Sequence, residues 1–183
     1  MISSPEPVDK TVRLFFALWP DAATRAALEQ SGKDMHTLCG GRHSPASSIH
    51  ITLAFLGAVA VSRVAELQSL AAQLESAAFD IELTHSGCWQ RSRIAWVAPV
   101  QIPQALTDLV DKLRCQLQTA GYPVDLRAYA PHVTLLRKAN CPPLLPAITT
   151  MSWTARDFVL VKSGVVEHEP SYEIIGRWPL LSL

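Results

Sequence analysis

Two short segments contain the residues of this chain whose types and spacing suggest chemistry. Each has the pattern His-x-Thr-Leu, and they begin at His50 and at His132. In a β-strand, side chains two positions apart point to the same face. Read as strands, the segments place His50 beside Thr52 and His132 beside Thr134, while the alternate apolar residues point into a core. The pattern predicts a site with two proton carriers and two hydroxyl groups.

This set of groups meets the requirements of phosphodiester cleavage. One imidazole must be neutral to accept a proton from the attacking water, and the other must be cationic to donate one to the leaving alkoxide. Threonine hydroxyls can donate hydrogen bonds to the non-bridging oxygens as phosphorus becomes five-coordinate. Neither segment contains a carboxylate or a cysteine, and threonine is a poor zinc ligand, so we expect a metal-free, cofactor-free reaction. The competing explanation is a coincidence of two structural histidines.

Four further residues are candidates for contact with a substrate. Arg137 can clamp a phosphate through two parallel hydrogen bonds. Strict alternation places it on the face opposite His132, so it reaches the cleft only through a bulge or the strand end and is otherwise a surface arginine. Arg13, Phe15 and Trp89 are candidates because aromatic rings stack on bases, with core packing as the alternative for Phe15. The histidines without a hydroxyl two positions later are expected to be surface or packing residues: His36, His43, His85 and His168.

The elements that must position these groups follow from periodicity. Besides the two motif strands, alternation predicts strands over residues 11–19, 79–86, 93–98, 158–166 and 172–179. Helical spacing predicts helices over residues 22–34 with Asp21 as N-cap, from 62 to 78, and over 106–120 with Gly121 at its end. We expect residues 79–86 to pair with 93–98, and the last two strands to form a hairpin. Residues 40–48 are expected to form a loop.

This order of elements predicts an α+β fold. We expect a two-lobed, duplicated architecture in which mixed or antiparallel sheets, flanked by helices, form a central cleft that carries one motif from each half. No glycine-rich turn between a strand and a helix indicates a dinucleotide-binding fold. Residues 1–10 are expected to form a flexible tail, and residues 11–183 a single two-lobed domain.

Composition excludes several classes of protein. Apolar residues make up 49% of the 183 positions and charged residues 17%, which is typical of a globular protein. Sixteen basic and sixteen acidic side chains cancel, so any binding of RNA or phosphate must be local. No apolar run approaches the length of a membrane span, and residues 1–10 lack the apolar stretch of a signal peptide, so we expect them not to be one. Four dispersed cysteines, Cys39, Cys88, Cys115 and Cys141, are expected to be reduced. We therefore expect a cytoplasmic monomer.

Further segments resemble a known family, the 2H phosphoesterases, and within it the bacterial RNA 2′,3′-cyclic phosphodiesterases, also called 2′-5′ RNA ligases. The resemblance extends from about residue 11 to the C-terminus and rests on residues 13–18 (RLFFAL), 50–57 (HITLAFLG), 89–96 (WQRSRIAW), 131–137 (PHVTLLR) and 177–178 (RW). Two departures are visible: Ala58 replaces a frequently acidic residue, and residues 40–48 are unlike other members. Neither departure affects the proposed catalytic atoms.

The resemblance implies a reaction and unequal roles for the two motifs. It implies metal- and ATP-independent opening of a terminal 2′,3′-cyclic phosphate to a 2′-phosphate, with the reverse reaction forming a 2′-5′ linkage. His50 would be the proton donor and His132 the proton acceptor, while Thr52, Thr134 and Arg137 would hold the phosphate. Two alternatives stay open: a phosphodiesterase for small cyclic nucleotides or 2′-5′ oligonucleotides, and a non-catalytic RNA-binding module.

Overall fold

Strands predominate in this chain. A computed structural model describes residues 9–145, 147–166 and 169–181, which contain ten β-strands and three α-helices. The strands are β1 (Thr11–Leu18), β2 (Arg42–His43), β3 (Ile51–Ala60), β4 (Phe79–Leu83), β5 (His85–Trp89), β6 (Ile94–Ala98), β7 (Val133–Arg137), β8 (Met151–Ala155), β9 (Asp157–Val166) and β10 (Glu169–Pro179). The helices are α1 (Ala22–Cys39), α2 (Val64–Ala72) and α3 (Gln104–Thr119), with short 3-10 helices at Ala46–Ser48 and Val61–Arg63.

Eight of these strands form one antiparallel sheet. Its main path has the order β10-β9-β1-β3-β7-β6-β5, and β2 pairs with β7 beside that path. Strands β4 and β8 form a separate two-stranded antiparallel sheet. The predicted α+β class is confirmed, with antiparallel sheets throughout the paired strands. The predicted terminal hairpin is confirmed as well, because β9 and β10 pair antiparallel along most of their length.

The two motif strands meet in the middle of the large sheet. Ile51 of β3 pairs with Val133 of β7, and within the described ranges this is the one pair that joins the two strands. Strands β1, β9 and β10 lie on the β3 side of the junction, and β2, β5 and β6 lie on the β7 side. The sheet thus consists of two half-sheets that meet at the motifs. Their origin by duplication stays a prediction.

Helices cover the two half-sheets separately. Helix α1 packs against β2, β7 and β8, whereas α3 packs against β3 and α2. Helix α3 turns Leu106, Leu109 and Leu113 into the core, where each is almost fully buried. Burial of a leucine contributes about 1.5–3 kcal/mol relative to an exposed one, so these contacts fix the helix on the sheet. None of the helices in the described part of the chain is long and apolar enough to cross a bilayer.

Two helices differ in length from their predictions. Helix α1 begins after Asp21, whose carboxylate accepts a hydrogen bond from the amide of Thr24 at 2.8 Å, but it continues beyond the predicted end to Cys39. Met35 and Cys39 extend its buried stripe by one more turn, and Gly40 ends it. Helix α2 ends at Ala72, earlier than predicted. The apolar residues that follow α2 are also buried, and their spacing happens to match the helical period. The predicted helix was therefore too long.

The predicted strand over residues 79–86 is in fact two strands in different sheets. Strand β4 pairs with β8, which has no strong sequence signal, and β5 pairs with β6. The expected pairing of 79–86 with 93–98 is therefore correct only for β5. The loop predicted over residues 40–48 contains β2 and a 3-10 helix. Residues 1–8 of the predicted tail, and His168, lie outside the described residues.

Three of the four cysteines converge despite their distance in sequence. Burial, together with hydrogen bonds to the thiols of Cys39 and Cys88, raises the pKa of the Cys141 thiol. All four cysteines are free. A raised pKa keeps a thiol protonated and poorly reactive, so this cluster acts as packing between the end of α1 and strand β5.

Candidate active site

The predicted motif residues line one cavity. Its wall includes His50, Thr52, His132, Thr134 and Arg137, and it encloses about 170 Å³. These residues come from β3, β7 and the residues that immediately precede them. The structure therefore brings both motifs, and the arginine that follows the second, to one place.

Strand pairing sets the motifs against each other. The residue that follows each histidine is fully buried, and these two residues pair with each other in antiparallel register. Continuing that register places His50 opposite Thr134 and Thr52 opposite His132. All four side chains are half-buried, as alternation predicts. Each imidazole thus lies across from the hydroxyl of the other motif.

Each imidazole is oriented by the backbone two residues earlier. Nδ1 of His50 lies 2.7 Å from the carbonyl oxygen of Ser48, and Nδ1 of His132 lies 2.9 Å from that of Ala130. Because a carbonyl oxygen only accepts hydrogen bonds, Nδ1 carries a proton in both rings. Nε2 is then the nitrogen that accepts a proton in the neutral ring and donates one in the cationic ring. Both rings are prepared alike for proton transfer at Nε2.

Burial shifts both imidazoles toward the neutral form. It lowers the pKa of His50 from 6.5 to about 4; the Ser48 carbonyl opposes this shift, while the charges of Arg137 and His132 add to it. Burial also lowers the pKa of His132, opposed by the Ala130 carbonyl and assisted by Arg137. A bound anion favours the cationic imidazole and would reverse part of these shifts.

The cavity wall is basic. Arg42, His43 and Arg137 join the two motif histidines, and none of the described residues that line the cavity is acidic. The threonine hydroxyls of both motifs have no hydrogen-bond partner among the described residues, so they are available to a ligand. In the same part of the chain, no group of three His, Cys, Asp or Glu side chains is arranged to hold a metal ion. The wall fits a small anion with several oxygens.

A bulge in β7 brings Arg137 to the cavity. Thr134 and Leu136 pair with consecutive residues of β6, so Leu135 is an extra residue in the ladder. The bulge changes the phase of the alternation: Leu135 and Leu136 are both buried, and Arg137 lies on the same wall as Thr134. This is the local irregularity that strict alternation required for Arg137 to reach the cleft.

The same irregularity occurs in β3, with a different result. Thr52 and Ala54 pair with consecutive residues of β1, so Leu53 is the extra residue. The position five residues after His50 is Phe55, which corresponds to Arg137 in the other motif. Phe55 is 49% exposed and lines a second cavity. Equivalent positions therefore supply a guanidinium to one cavity and a phenyl ring to the other.

The second cavity adjoins the first and is larger. It encloses about 480 Å³ and shares Thr52 and His132 with the first cavity. Besides His132, its wall carries three aromatic and two basic side chains, Phe55, Trp89, Tyr129, Arg114 and Arg127, and the acidic Asp125, which forms an ion pair with Arg127. Aromatic faces and guanidinium groups are the surfaces on which unpaired bases stack.

Trp89 borders the second cavity and contacts a motif histidine. Its ring meets that of His132 edge-on, with centroids 4.5 Å apart and planes at 76°. Trp96 packs on Trp89 at 5.4 Å, opposite Gly87 of the neighbouring strand. A Cβ at Gly87 would lie 2.3 Å from the Trp96 ring, so only glycine leaves room for this arrangement. The glycine thereby helps to place Trp89.

Three other aromatic rings surround His50. Trp19 lies parallel to the imidazole, with centroids 5.2 Å apart and planes at 1°. Phe15 contacts it at 4.8 Å and Tyr172 at 5.6 Å. Phe15, a predicted substrate-contact candidate, is 3% exposed and is packed beneath His50. Arg13, another candidate, is exposed, with its guanidinium 5.5 Å from the Phe55 ring, and lines neither cavity.

Sequence reasoning did not identify several residues of the cavity wall. Arg42, His43 and Tyr172 line it. His43 also packs on His36, with ring centroids 4.4 Å apart, as expected of a packing residue. Strand β2 reaches this position through Gly41, which has a φ of 89°. A Cβ there would lie 2.6 Å from the carbonyl oxygen of Arg137. The paired glycines at 40 and 41 were the available signal for a close approach of two backbones.

Comparison with known proteins agrees with this geometry. The model of the 2′-5′ RNA ligase superfamily matches residues 19–167. The chain is 32% identical over 169 residues to the RNA 2′,3′-cyclic phosphodiesterase of Escherichia coli strain K12, which covers 92% of this chain and 96% of that protein.

Solved structures give the same result. The fold matches E. coli LigT in its apo form with a TM-score of 0.87 at 31% identity, covering 94% of this chain and 99% of that one. LigT complexed with 3′-AMP matches with the same TM-score and identity over 93% of this chain and 99% of that chain. The resemblance identified from the residues is confirmed at the level of the family: this chain belongs to the 2′-5′ RNA ligase superfamily.

Proposed function

We propose that this protein is a metal- and ATP-independent RNA 2′,3′-cyclic phosphodiesterase that hydrolyses a terminal 2′,3′-cyclic phosphate to a 2′-phosphate. The proposal assigns the activity to residues 11–183 as one two-lobed domain. One observation carries it: two imidazoles, each with Nδ1 bound to a backbone carbonyl, line a single small cavity that has no acidic wall residue among those described. Two imidazoles with free Nε2 atoms supply one proton acceptor and one proton donor without a metal.

The proposed reaction uses the motifs in unequal roles. Nε2 of His132 takes a proton from water, and the water oxygen forms a bond to phosphorus. The bond from phosphorus to the 3′ oxygen breaks, and Nε2 of His50 donates its proton to that oxygen. The 2′ oxygen keeps the phosphate. When a 5′-hydroxyl replaces water as the nucleophile, the same steps break the bond to the 3′ oxygen and form a 2′-5′ linkage.

The remaining wall residues hold the phosphate in this proposal. The hydroxyls of Thr52 and Thr134 donate to its non-bridging oxygens, and Arg137 binds it through the guanidinium. The negative charge of the phosphate also favours the cationic form of His50, which the free protein disfavours. Substrate binding therefore helps to create the proton donor.

The second cavity supports the proposal that the bound group is a nucleotide and not a bare phosphate. It opens beside Thr52 and His132 and presents aromatic rings, among them Trp89. A base attached to the cyclic phosphate can stack there. LigT, a similar structure, has been solved in complex with 3′-AMP. The formal charge of the whole chain is zero, so small cyclic nucleotides and 2′-5′ oligonucleotides are the alternative substrates. A non-catalytic RNA-binding module is the other alternative.

The direct test is hydrolysis of an oligonucleotide with a 2′,3′-cyclic phosphate end by His50→Ala and His132→Ala variants. Each substitution removes a proton carrier, so we expect kcat to fall by about 10²-fold or more. His85→Ala is a matched control, because His85 is exposed and lines neither cavity, and it should stay close to the parent protein. A fall in kcat of less than tenfold in both motif variants would contradict the proposed roles of His50 and His132.

Excess EDTA provides a companion measurement on the unaltered protein. The motifs alone supply the proton carriers in the proposed reaction, so hydrolysis should continue in the chelator. Activity that disappears with EDTA and returns with zinc would contradict the metal-free reaction.

A further inference from the structure

The two histidines have the same backbone hydrogen bonds but very different ring neighbours. His50 contacts three aromatic rings, those of Trp19, Phe15 and Tyr172. His132 contacts one, Trp89, and that contact is edge-on. The asymmetry is therefore not in the motifs themselves but in the surrounding rings.

Trp19 makes the most regular of these contacts. Its plane lies within 1° of the imidazole plane, and the ring centroids are 5.2 Å apart, so the two rings form an offset parallel stack. Trp19 directly follows β1, and the buried Pro20 and the helix cap Asp21 come next. Strand β1 fixes the backbone before Trp19, and Pro20 and the helix cap fix the backbone after it. The backbone that carries the indole is therefore restrained on both sides.

The rings around His50 also form their own small core. Phe15 is buried with Ala17, Val159 and Val161 in a cluster apart from the main one, and Trp19 and Tyr172 pack against it. Phe15 and Ala17 lie on the same face of β1, and the Phe15 ring contacts the imidazole of His50. This cluster limits the orientations that the ring can take.

The face of an aromatic ring carries negative charge density, and its edge carries positive charge density. A face-on ring therefore stabilises a cation, whereas an edge-on ring does not. The planes of Trp19 and His50 are parallel, whereas those of Trp89 and His132 lie at 76°. The parallel, stacked indole favours a positive charge on His50.

Burial opposes such a charge most, and the charges of Arg137 and His132 on β7 add to this effect. Arg42 and His43 of β2 and Tyr172 of β10 line the same cavity. None of the described residues that line the cavity is a carboxylate. The stacked indole of Trp19 and the Ser48 carbonyl support a cationic His50.

We propose that Trp19 is a positioning residue for His50: its indole face holds the imidazole against the cavity wall and favours the cationic ring, which makes His50 the proton donor. This inference rests on the proposed function, since it explains why one of two equivalent histidines takes that role. Trp19 itself does not touch the reacting atoms.

The first experiment compares Trp19→Leu with Trp19→Phe. Leucine and phenylalanine both leave space beside His50, but only phenylalanine keeps a ring face. We expect the pKa of His50, measured by NMR titration of its imidazole in the presence of inorganic phosphate, to be lower in Trp19→Leu than in Trp19→Phe by about 0.5–1. We expect kcat for a cyclic-phosphate-ended oligonucleotide to be about threefold to tenfold lower in Trp19→Leu, with KM nearly equal.

The second experiment keeps the shape of the side chain. Ring-fluorinated tryptophan introduced at position 19 withdraws charge density from the face without making the space larger. The pKa of His50 should fall with each added fluorine, while that of His132 stays constant. This measurement does not depend on whether Trp19→Leu folds.

Two outcomes would overturn the inference. Equal pKa values of His50 in the Leu and Phe variants would do so, and so would a fluorine series without any trend. Failure of the proposed function looks different: His50→Ala and His132→Ala would then retain hydrolysis, whatever Trp19 does to the titration of His50. The NMR titration thus tests Trp19 separately from the reaction.

Discussion

At the scale of single residues, the two histidines lie in the same sequence motif but have different surroundings. Both Nδ1 atoms donate to a carbonyl two residues earlier, at 2.7 Å for His50 and 2.9 Å for His132. Burial lowers the pKa of each imidazole. Their ring neighbours differ, since three aromatic rings contact His50 and one contacts His132.

The pH dependence of hydrolysis should reflect these shifts. The reaction needs one neutral and one cationic imidazole, so activity falls when both lose protons at high pH and when both gain them at low pH. Because the pKa is lowered to about 4 for His50 and lowered for His132, we expect the bell of kcat/KM to be centred below pH 6.5. The bell of kcat should lie at higher pH, since bound phosphate favours cationic rings.

Rates measured across pH 4 to 9 would check this order. A kcat/KM profile centred above pH 7, or identical profiles for kcat and kcat/KM, would contradict it. The two limbs belong to the coupled pair and not to single residues.

The threonine hydroxyls allow a second prediction. Neither hydroxyl has a partner among the described residues, so removal should not disturb the fold. Thr134→Val keeps the shape and removes the donor, and we expect kcat to fall by about 10²-fold. Thr134→Ser keeps the donor and should lose less than tenfold. A loss in Thr134→Ser as large as that in Thr134→Val would contradict a specific role of the hydroxyl.

Sequence alone predicted most of the side chains that form the site. Alternation placed the four motif side chains on one wall and their neighbours in the core, because a strand has a fixed period. It could not place Trp19 or Tyr172, since their contacts with His50 depend on pairing between distant strands. Arg137 was assigned by resemblance, and its position on the wall depends on a bulge that no residue type announces.

At the scale of elements, the bulges decide which side chains reach the cleft. Each follows the threonine of its motif and shifts the alternation by one position. A bulge has no clear composition in these strands, so it could not be read from the sequence. The split between β4 and β5 was missed for a similar reason: a single turn residue sends consecutive strands to different sheets.

The close approach of β2 to β7 leads to a prediction about the stability of the protein. Gly41 has a φ of 89°, and a Cβ there would lie 2.6 Å from the Arg137 carbonyl oxygen. We expect Gly41→Ala to destabilise the protein by about 2 kcal/mol or more in urea unfolding and to reduce hydrolysis. Gly121→Ala is the control, because Gly121 has a φ of 77° but open space around it, and should cost about 1 kcal/mol. Similar costs in both would mean that backbone strain alone matters.

At the scale of the whole molecule, net charge conceals a local asymmetry. The chain has 16 basic and 16 acidic side chains, yet the wall of the first cavity carries arginines and histidines without an acidic residue among those described. Composition excluded a strongly basic nucleic-acid-binding surface, but it could not show how charge is distributed in three dimensions. The α+β class was predictable because it depends on the order of elements, whereas the pairing of β4 with β8 depends on the complete fold.

Substrate preference is a property of both cavities together. The second cavity carries Arg114 beside its aromatic rings, whereas Arg127 is paired with Asp125, so the cavity can bind a base and, through Arg114, a further phosphate. We expect kcat/KM to be higher for a cyclic-phosphate-ended oligonucleotide than for a nucleoside 2′,3′-cyclic phosphate, with the advantage falling as salt increases. A strong preference for the mononucleotide would favour the small-nucleotide alternative.

The single pair between Ile51 and Val133 has a mechanical consequence. In a rotation of one half-sheet against the other, each atom moves in proportion to its distance from the pivot. His50 and His132 immediately precede the paired residues, whereas β10 and β5 are the strands at the two ends of the sheet. Such a rotation would move the outer strands while the separation of the two imidazoles hardly changes.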